Sequence, residues 1–360
     1  MSSTIGNILK VTIFGESHAK AIGLTIDGLP AGIKIDENLI KEDLKKRHPK
    51  DEFSTPRHED DEVDFLCGVF NGFTTGSPLT FIIKNNDVDS SKYVKGQIRP
   101  SHADFANYEK FNGFNDYRGG GFSSGRITTS LVVLGSICKQ ILLKKDIQIG
   151  SHIKVIHDVR DREFNYENIQ EDINKVNSSL FPVLDEVSKA NMQEEIRKAK
   201  NNKDSVGGAI ESVIINAPIG LGEPYFDSLE STISKLLFSI GGVKGVLFGE
   251  GCRFTSKLGS EVKDEMQIEN GKVRFLSNNN GGINGGISNG QPIIVKTIVK
   301  PTPSIGLEQQ SINLENKENI DLSISGRHDP CIVHRVRAVV DALLAYAMVD
   351  MLMLMGSKNI

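Results

Sequence analysis

The chain has no tryptophan, and aromatic residues make up only 6% of its 360 positions, so indole stacking plays no part in what it recognises. It has no basic surplus either. Lys and Arg number 42 against 46 Asp and Glu, a formal net charge of -4. Broad electrostatic binding to nucleic acid or to an anionic membrane needs the opposite balance. Cysteine is sparse. Cys67, Cys138, Cys252 and Cys331 form no CxxC pair, so metal and redox motifs are not expected. No signal-peptide pattern is visible near Met1. The longest apolar run, 338–355, is interrupted by Asp341 and Asp350. A charge near a bilayer centre is costly, so this run reads as a buried helix of a cytoplasmic protein. Arginine is scarce too, at 13 against 29 lysines.

That scarcity makes residues 99–126 stand out. The stretch reads Arg99-Pro-Ser-His102-Ala-Asp104, a spacer, then Arg118-Gly-Gly-Gly-Phe-Ser123-Ser124-Gly-Arg126. A chain that defaults to lysine but places three arginines here needs the planar fork, which grips phosphate or carboxylate through two parallel hydrogen bonds. Glycines let backbone approach a ligand closely. An imidazole ordinarily titrates near neutral pH, which suits His102 to moving a proton, and Asp104 is close enough in sequence to orient it. The glycine run is neither a dinucleotide fingerprint nor a P-loop, since it lacks Gly-x-Gly-x-x-Gly and Gly-Lys-Ser/Thr. A helix at 127–143 would put its N-terminus beside these residues and favour an anion.

Apolar patterning predicts strands at 11–14, 24–26, 63–70, 79–84, 147–159, 209–215, 243–248 and 292–299. It predicts helices at 39–46, with Asp36 as N-cap, and at 229–237. Residues 85–118 lack periodicity, and loops of that length are usually functional or disordered. Residues 165–203 read as mostly helical and 307–321 as a polar linker. Without regular βαβ spacing, α+β is favoured over a doubly wound fold. Other motifs are ambiguous taken singly. Gly15-Glu-Ser-His18 either presents Ser17 and His18 to a ligand or makes a surface turn. Lys300-Pro301-Thr302-Pro303-Ser304 either binds phosphate or a flavin edge, or ends a strand. Arg327-His328-Asp329 is either a surface cap or a ligand-facing ion pair, and Arg335 and Arg337 add positive potential nearby.

Taken together and in order, these segments resemble the chorismate synthase family. The matches are Gly15-Glu-Ser-His18, Arg99-Pro-x-His102-Ala-Asp104, Asp116-Tyr-Arg118-Gly-Gly-Gly with Ser123-Ser124-x-Arg126, and Gly220-Leu-Gly-Glu-Pro224. They continue with Val243-Lys-Gly245, Gly281-Gly-x-x-Gly285-Gly-Ile-Ser, Lys300-Pro301-Thr302 and Gly326-Arg-His-Asp-Pro-Cys331. They span nearly the whole chain.

The resemblance implies one domain over 1–360, an α+β sandwich with helices packed between antiparallel sheets. It implies a carbon–oxygen lyase of the shikimate pathway. The reaction is anti-1,4-elimination of phosphate and the C6 hydrogen from 5-enolpyruvylshikimate 3-phosphate, giving chorismate. It also implies reduced FMN as cofactor, NADPH only as an indirect source of electrons, an external flavin reductase, and a homotetramer. By resemblance His18, His102 and Asp329 are catalytic, and Arg47, Arg99, Arg126 and Arg327 bind substrate. Ser123, Ser124, Gly241, Gly242, Gly285, Lys300, Pro301, Thr302, Pro303, Ser304 and Arg327 would contact FMN. The chain departs from the family where Phe122 replaces a common Arg and at Glu52 and Phe53, near which some relatives carry Arg. Lys46, Lys50 or Arg57 would then supply the missing charge.

Overall fold

A computed structural model describes residues 3–48, 53, 61–86, 89–91, 93–324 and 329–358. Two five-stranded antiparallel sheets dominate it. The first runs, in spatial order, Thr4–Ile5, Lys10–Gly15, Ala21–Asp27, Leu79–Lys84 and Val63–Cys67. The second runs Val243–Phe248, Ile293–Val299, Gly208–Ile215, Gln148–Ile156 and Val159–Arg160. The helices are α1 (Glu37–Arg47), α2 (Asp104–Lys110), α3 (Thr128–Leu143), α4 (Ile169–Ser178), α5 (Glu186–Asn201), α6 (Leu229–Leu237) and α7 (Val333–Lys358).

The core lies between the sheets. In the first sheet Leu79, Phe81 and Ile83 are fully buried while Thr80 and Ile82 are half-buried, the period-2 alternation of a sheet covered on one face. Helix α3 packs on the Ala21–Asp27 strand, and α7 packs on α3 and on the second sheet. Small residues permit the helix crossing: a Cβ at Gly135 would come within 2.2 Å of Ala342 Cα. The second sheet is covered on its other face as well, where Phe164, Ile173, Val176, Val213 and Ile215 form a smaller core under α4. The segments 125–143 and 333–357 are long and apolar enough to cross a membrane, but both are mostly buried within the protein. Asp350 lies on α7 with its carboxylate accepting from the backbone N–H of Asn7, Ile8 and Leu9.

Local rules locate most elements. Asp36 caps α1 by accepting from Asn38 N at 2.9 Å. Gly68, at φ +85°, splits the predicted 63–70 strand into two. The supposed linker at 307–321 is instead a hairpin of Gln309–Asn313 with Glu318–Leu322, whose polar residues hide the strand pattern. The aperiodic stretch 85–118 contains the short α2, and α7 begins at Val333, ahead of the expected 338.

Candidate active site

A cleft of about 610 Å³ opens where the loops around residues 89–126 meet the start of α7. Its wall includes His18, Arg47, Arg99, Ser124, Arg126, Gly241, Thr302, Ser304 and Asp329. Their segments are far apart in sequence, and specific contacts join them. The glycine turn after Arg118 docks on the Gly-Glu-Ser-His turn: Ser17 Oγ donates to Arg118 O at 3.2 Å, and Ser17 N donates to Gly121 O at 3.2 Å. Gly119 and Gly120 have positive φ, and a Cβ on Gly119 would lie 2.2 Å from His18 Cε1. Glycine is therefore required at 119 by approach as well as by backbone angle. His18 meets Ser17 Oγ at 3.1 Å and stands edge-on to Tyr93.

The arginines are held firmly. Arg47 Nη2 donates to Gly125 O at 2.7 Å and its Nε to Thr128 Oγ1 at 3.1 Å. Arg99 forms a bidentate pair with Asp104, at 2.7 and 2.8 Å, and stacks near Tyr93. This corrects one expectation: the Asp104 carboxylate serves Arg99, while His102 Nε2 pairs with Ser304 Oγ at 2.6 Å. Arg126 is buried, with its Nε on Asn85 Oδ1 at 3.0 Å and its Nη1 on Asp61. Asp329 binds Arg335 Nη1 at 2.5 Å, and Arg335 Nε reaches back to Arg47 O at 3.2 Å. Arg118 turns its fork onto Asp116, whose carboxyl is held below its ordinary range chiefly by that hydrogen bond.

The other sequence candidates sit less centrally. His102 is half-buried and reaches the cleft wall through Ser304. Ser123 is exposed and accepts from Asn107 Nδ2 at 3.0 Å. Gly242 lies behind Gly241 and accepts from Lys300 N. Lys300 Nζ donates to Ser101 O at 2.8 Å, and burial followed by Lys244 lowers its pKa. Pro301 and Pro303 flank Thr302 without lining the cleft. Gly285, at φ +60°, forms the tip of the Ile283–Asn284 and Ile287–Ser288 hairpin, away from the cleft wall. The asparagines of that loop serve Asp264, which accepts from the backbone N–H of Asn279 and Asn280. Arg327 and His328 lie outside the described residues, as do Lys50, Glu52 and Arg57. Phe53 is buried against Phe181 and under Arg197, and Lys46 pairs with Asp43 at 3.0 Å.

Several wall residues were not singled out from sequence as site residues. Tyr93, Asn107 and Tyr108 come from the aperiodic loop, and Leu322, Ser323 and Ile324 from the end of the hairpin read as a linker. Arg335 was visible only as added charge, and His48 carried no signal beyond its position after Arg47. Among the described residues no cluster of His, Cys, Asp and Glu is arranged to hold a metal ion.

The chorismate synthase family model matches residues 9–353 of this chain. A chorismate synthase of Methanosphaera stadtmanae is 43% identical over 354 residues, covering 97% of this chain and 96% of the relative. One of Thermococcus gammatolerans is 42% identical over 351 residues, covering 97% of each. A crystal structure of chorismate synthase superposes with a TM-score of 0.77 at 27% identity, covering 97% of this chain and 92% of that one. The α+β architecture, with helices between antiparallel sheets, agrees with that likeness.

Proposed function

The chain belongs to the chorismate synthase family of lyases, which serve aromatic amino acid biosynthesis, and from that premise we propose that it converts 5-enolpyruvylshikimate 3-phosphate to chorismate and phosphate with reduced FMN bound. The observation that carries this reading is the convergence of Arg47, Arg99, Arg126, His18 and Asp329 on one cleft. A substrate with two carboxylates and a phosphate needs such fixed donors in a site of low dielectric.

The wall also suits a flavin mononucleotide. A Cβ on Gly241 would meet open space, so planar or phosphate groups can approach the backbone there. Thr302 Oγ1 is buried with no hydrogen-bond partner among the described residues, and Ser124 and Ser304 line the same cleft. A buried hydroxyl left unpaired is costly, and a ligand oxygen or nitrogen would satisfy it. Ser124, Gly241, Thr302 and Ser304 would hold the group, with Ser123, Gly242, Gly285, Lys300, Pro301, Pro303 and Arg327 as further contacts assigned by family resemblance. When bound, reduced FMN supplies electron density for carbon–oxygen cleavage and recovers it afterwards.

The protein's own groups do the rest. Arg47, Arg99, Arg126 and Arg327 hold the substrate's anions. His18 stands by the departing phosphate and moves a proton to it. His102 shares a proton with Ser304 Oγ and keeps it available to the cofactor. The Asp329 carboxylate, fixed by Arg335, helps carry the C6 proton away. The same reading includes one domain over 1–360, a homotetramer, a cytoplasmic location, and partners that exclude nucleic acid and membrane. NADPH acts only indirectly, as a source of reducing equivalents, and an external flavin reductase is one route by which they reach the flavin.

The test is an anaerobic assay with 5-enolpyruvylshikimate 3-phosphate and chemically reduced FMN, following chorismate absorbance and phosphate release. Both are expected to appear together, with no net oxidation of the flavin. Folded protein that yields neither would overturn the reading. Stoichiometric NAD(P)H consumption with turnover would make it a flavin oxidoreductase instead.

A further inference from the structure

His48 is the first residue beyond α1 and lines the cleft. Its backbone N–H closes the helix on Leu44 O at 3.1 Å, and its imidazole is half-buried with no hydrogen-bond partner among the described residues. Among the described residues, the charged groups that bear most on the ring come from four segments. Arg47 comes from α1, Arg335 from α7, Asp329 from the segment before α7, and Asp61 from the segment before the Val63–Cys67 strand. Both carboxylates are engaged elsewhere, Asp329 by Arg335 and Asp61 by Arg126. At the ring the contributions of Arg335 and Arg47 outweigh those of Asp61 and Asp329. Burial first, then Arg335 and Arg47, lowers the His48 pKa to about 4, so the ring is neutral at pH 7. The described wall of the cleft carries four arginines (Arg47, Arg99, Arg126, Arg335) against four aspartates (Asp89, Asp104, Asp116, Asp329). It is balanced before any anion enters. A dianion arriving beside Arg47 and Arg335 offsets their positive field at His48 and adds a negative partner that favours the imidazolium.

We propose that His48 is a proton-coupled contact for a doubly charged oxyanion of the phosphate type, taking up one proton from solvent as the anion binds beside Arg47 and Arg335. The step balances: neutral imidazole, dianion and one solvent proton become an imidazolium–dianion pair, and release of the anion returns the proton. Only the natural identity of that anion, the substrate's phosphate, rests on the function proposed above.

Inorganic sulfate is the probe, because it stays a dianion across the range used and carries no proton of its own. The full chain is titrated calorimetrically with sulfate in two buffers of different ionisation heat. Uptake close to one proton per sulfate is expected at about pH 6, with affinity rising up to about tenfold per unit as pH falls from about 8 to 6. His48→Gln is expected to lose the uptake and flatten the pH dependence. His48→Lys, with a fixed charge, is expected to bind at least as tightly with no uptake, and it keeps the test readable if the Gln variant does not fold. Uptake that persists in either variant would assign the proton to another group, such as His18 or His102, and overturn the proposal. Sulfate binding without uptake, or no sulfate binding by the unaltered chain, overturns it as well. Chorismate formation is scored separately: an inactive protein with His48-dependent uptake removes the functional reading and leaves this one standing.

Discussion

The cleft and the layers behind it treat charge in different ways. In the second sheet His152 is fully buried, with Nδ1 2.7 Å from Asp161 Oδ2 and Nε2 3.0 Å from Glu211 Oε2. In the helix layer Arg337 and Asp341 pair at 2.9 Å, and Ser151 also hydrogen-bonds Asp341. None of these groups lines the cleft. Around the cleft, the Arg99–Asp104 and Arg335–Asp329 pairs stay about one-sixth exposed, while His48 and Thr302 Oγ1 have no hydrogen-bond partner among the described residues. Interior charge is paired within the protein and holds the fold, with Arg337 Nε and Glu211 Oε1 left without a hydrogen bond among the described residues. Cleft charge is paired as well, but it borders open volume that a ligand can enter. Breaking the first should cost stability, and breaking the second should cost function.

The largest effect expected is at the cleft's edge. His102→Ala should lower turnover by about 10²–10⁴-fold, the usual worth of a positioned acid–base group, with a much smaller change in substrate binding. Its thermal midpoint should stay near that of the unaltered chain. Equal turnover in the two would remove His102 from the chemistry. Next comes the interior. Asp341→Ala leaves the Arg337 guanidinium buried and unpaired, and should destabilise by about 3–5 kcal/mol in denaturant unfolding. Arg337→Met with Asp341→Leu should recover most of that loss, since an apolar pair of similar volume needs no partner. A double variant as unstable as Asp341→Ala would mean the pair does more than neutralise itself.

His152 gives a subtler contrast, read through pH. Burial alone would lower its pKa, but hydrogen bonds to Asp161 and Glu211 outweigh that and raise it above the ordinary 6.5. Below about pH 6.5 the ring is charged in both folded and unfolded chains, and the ion pairs contribute fully. As pH rises through the folded value the proton is lost and the contribution disappears. The stability gap between the unaltered chain and His152→Gln should therefore be widest near pH 6 and narrow toward alkaline pH. A gap independent of pH would show that the ring is neutral and serves only as a hydrogen-bond bridge.

How much of this was legible in the sequence follows from the range of the forces involved. Strand alternation at Leu79–Lys84 and the Asp36 cap depend on neighbours in sequence and were readable. The hairpin at Gln309–Asn313 and Glu318–Leu322 was not, because its stability comes from cross-strand backbone bonds between polar residues that show no apolar period. Cleft residues inside distinctive motifs, such as His18 and Arg126, could be named in advance. Their partners could not: the pairing of Arg126 with Asp61, of Arg335 with Asp329, and of His102 with Ser304 across about two hundred residues is a product of tertiary folding. Asp104 was the misleading case. Its nearness to His102 in sequence suggested an orienting carboxylate, but the turn presents it to Arg99.

The smallest expected effects give the sharpest contrast, because two similar hydroxyls differ only in what lies beside them. Thr297 Oγ1 and Thr302 Oγ1 are both buried without a hydrogen-bond partner among the described residues. Thr297 lies in the Ile293–Val299 strand of the second sheet and is fully buried, whereas Thr302 lines the cleft. Valine has nearly the same shape as threonine and needs no hydrogen bond, so neither substitution strands a donor. In the unliganded chain Thr297→Val and Thr302→Val should each leave stability unchanged or raise it slightly, by up to about 1 kcal/mol. Adding FMN should then separate them. Thr302→Val should weaken FMN binding by about 0.5–1.5 kcal/mol, or roughly twofold to twelvefold in Kd, while Thr297→Val should leave it unchanged. If both variants bind FMN like the unaltered chain, the Thr302 hydroxyl is an interior orphan that happens to border the cleft. If only Thr302→Val binds less well, an unsatisfied polar atom marks a ligand site where it faces open volume, and is only a packing cost where it does not.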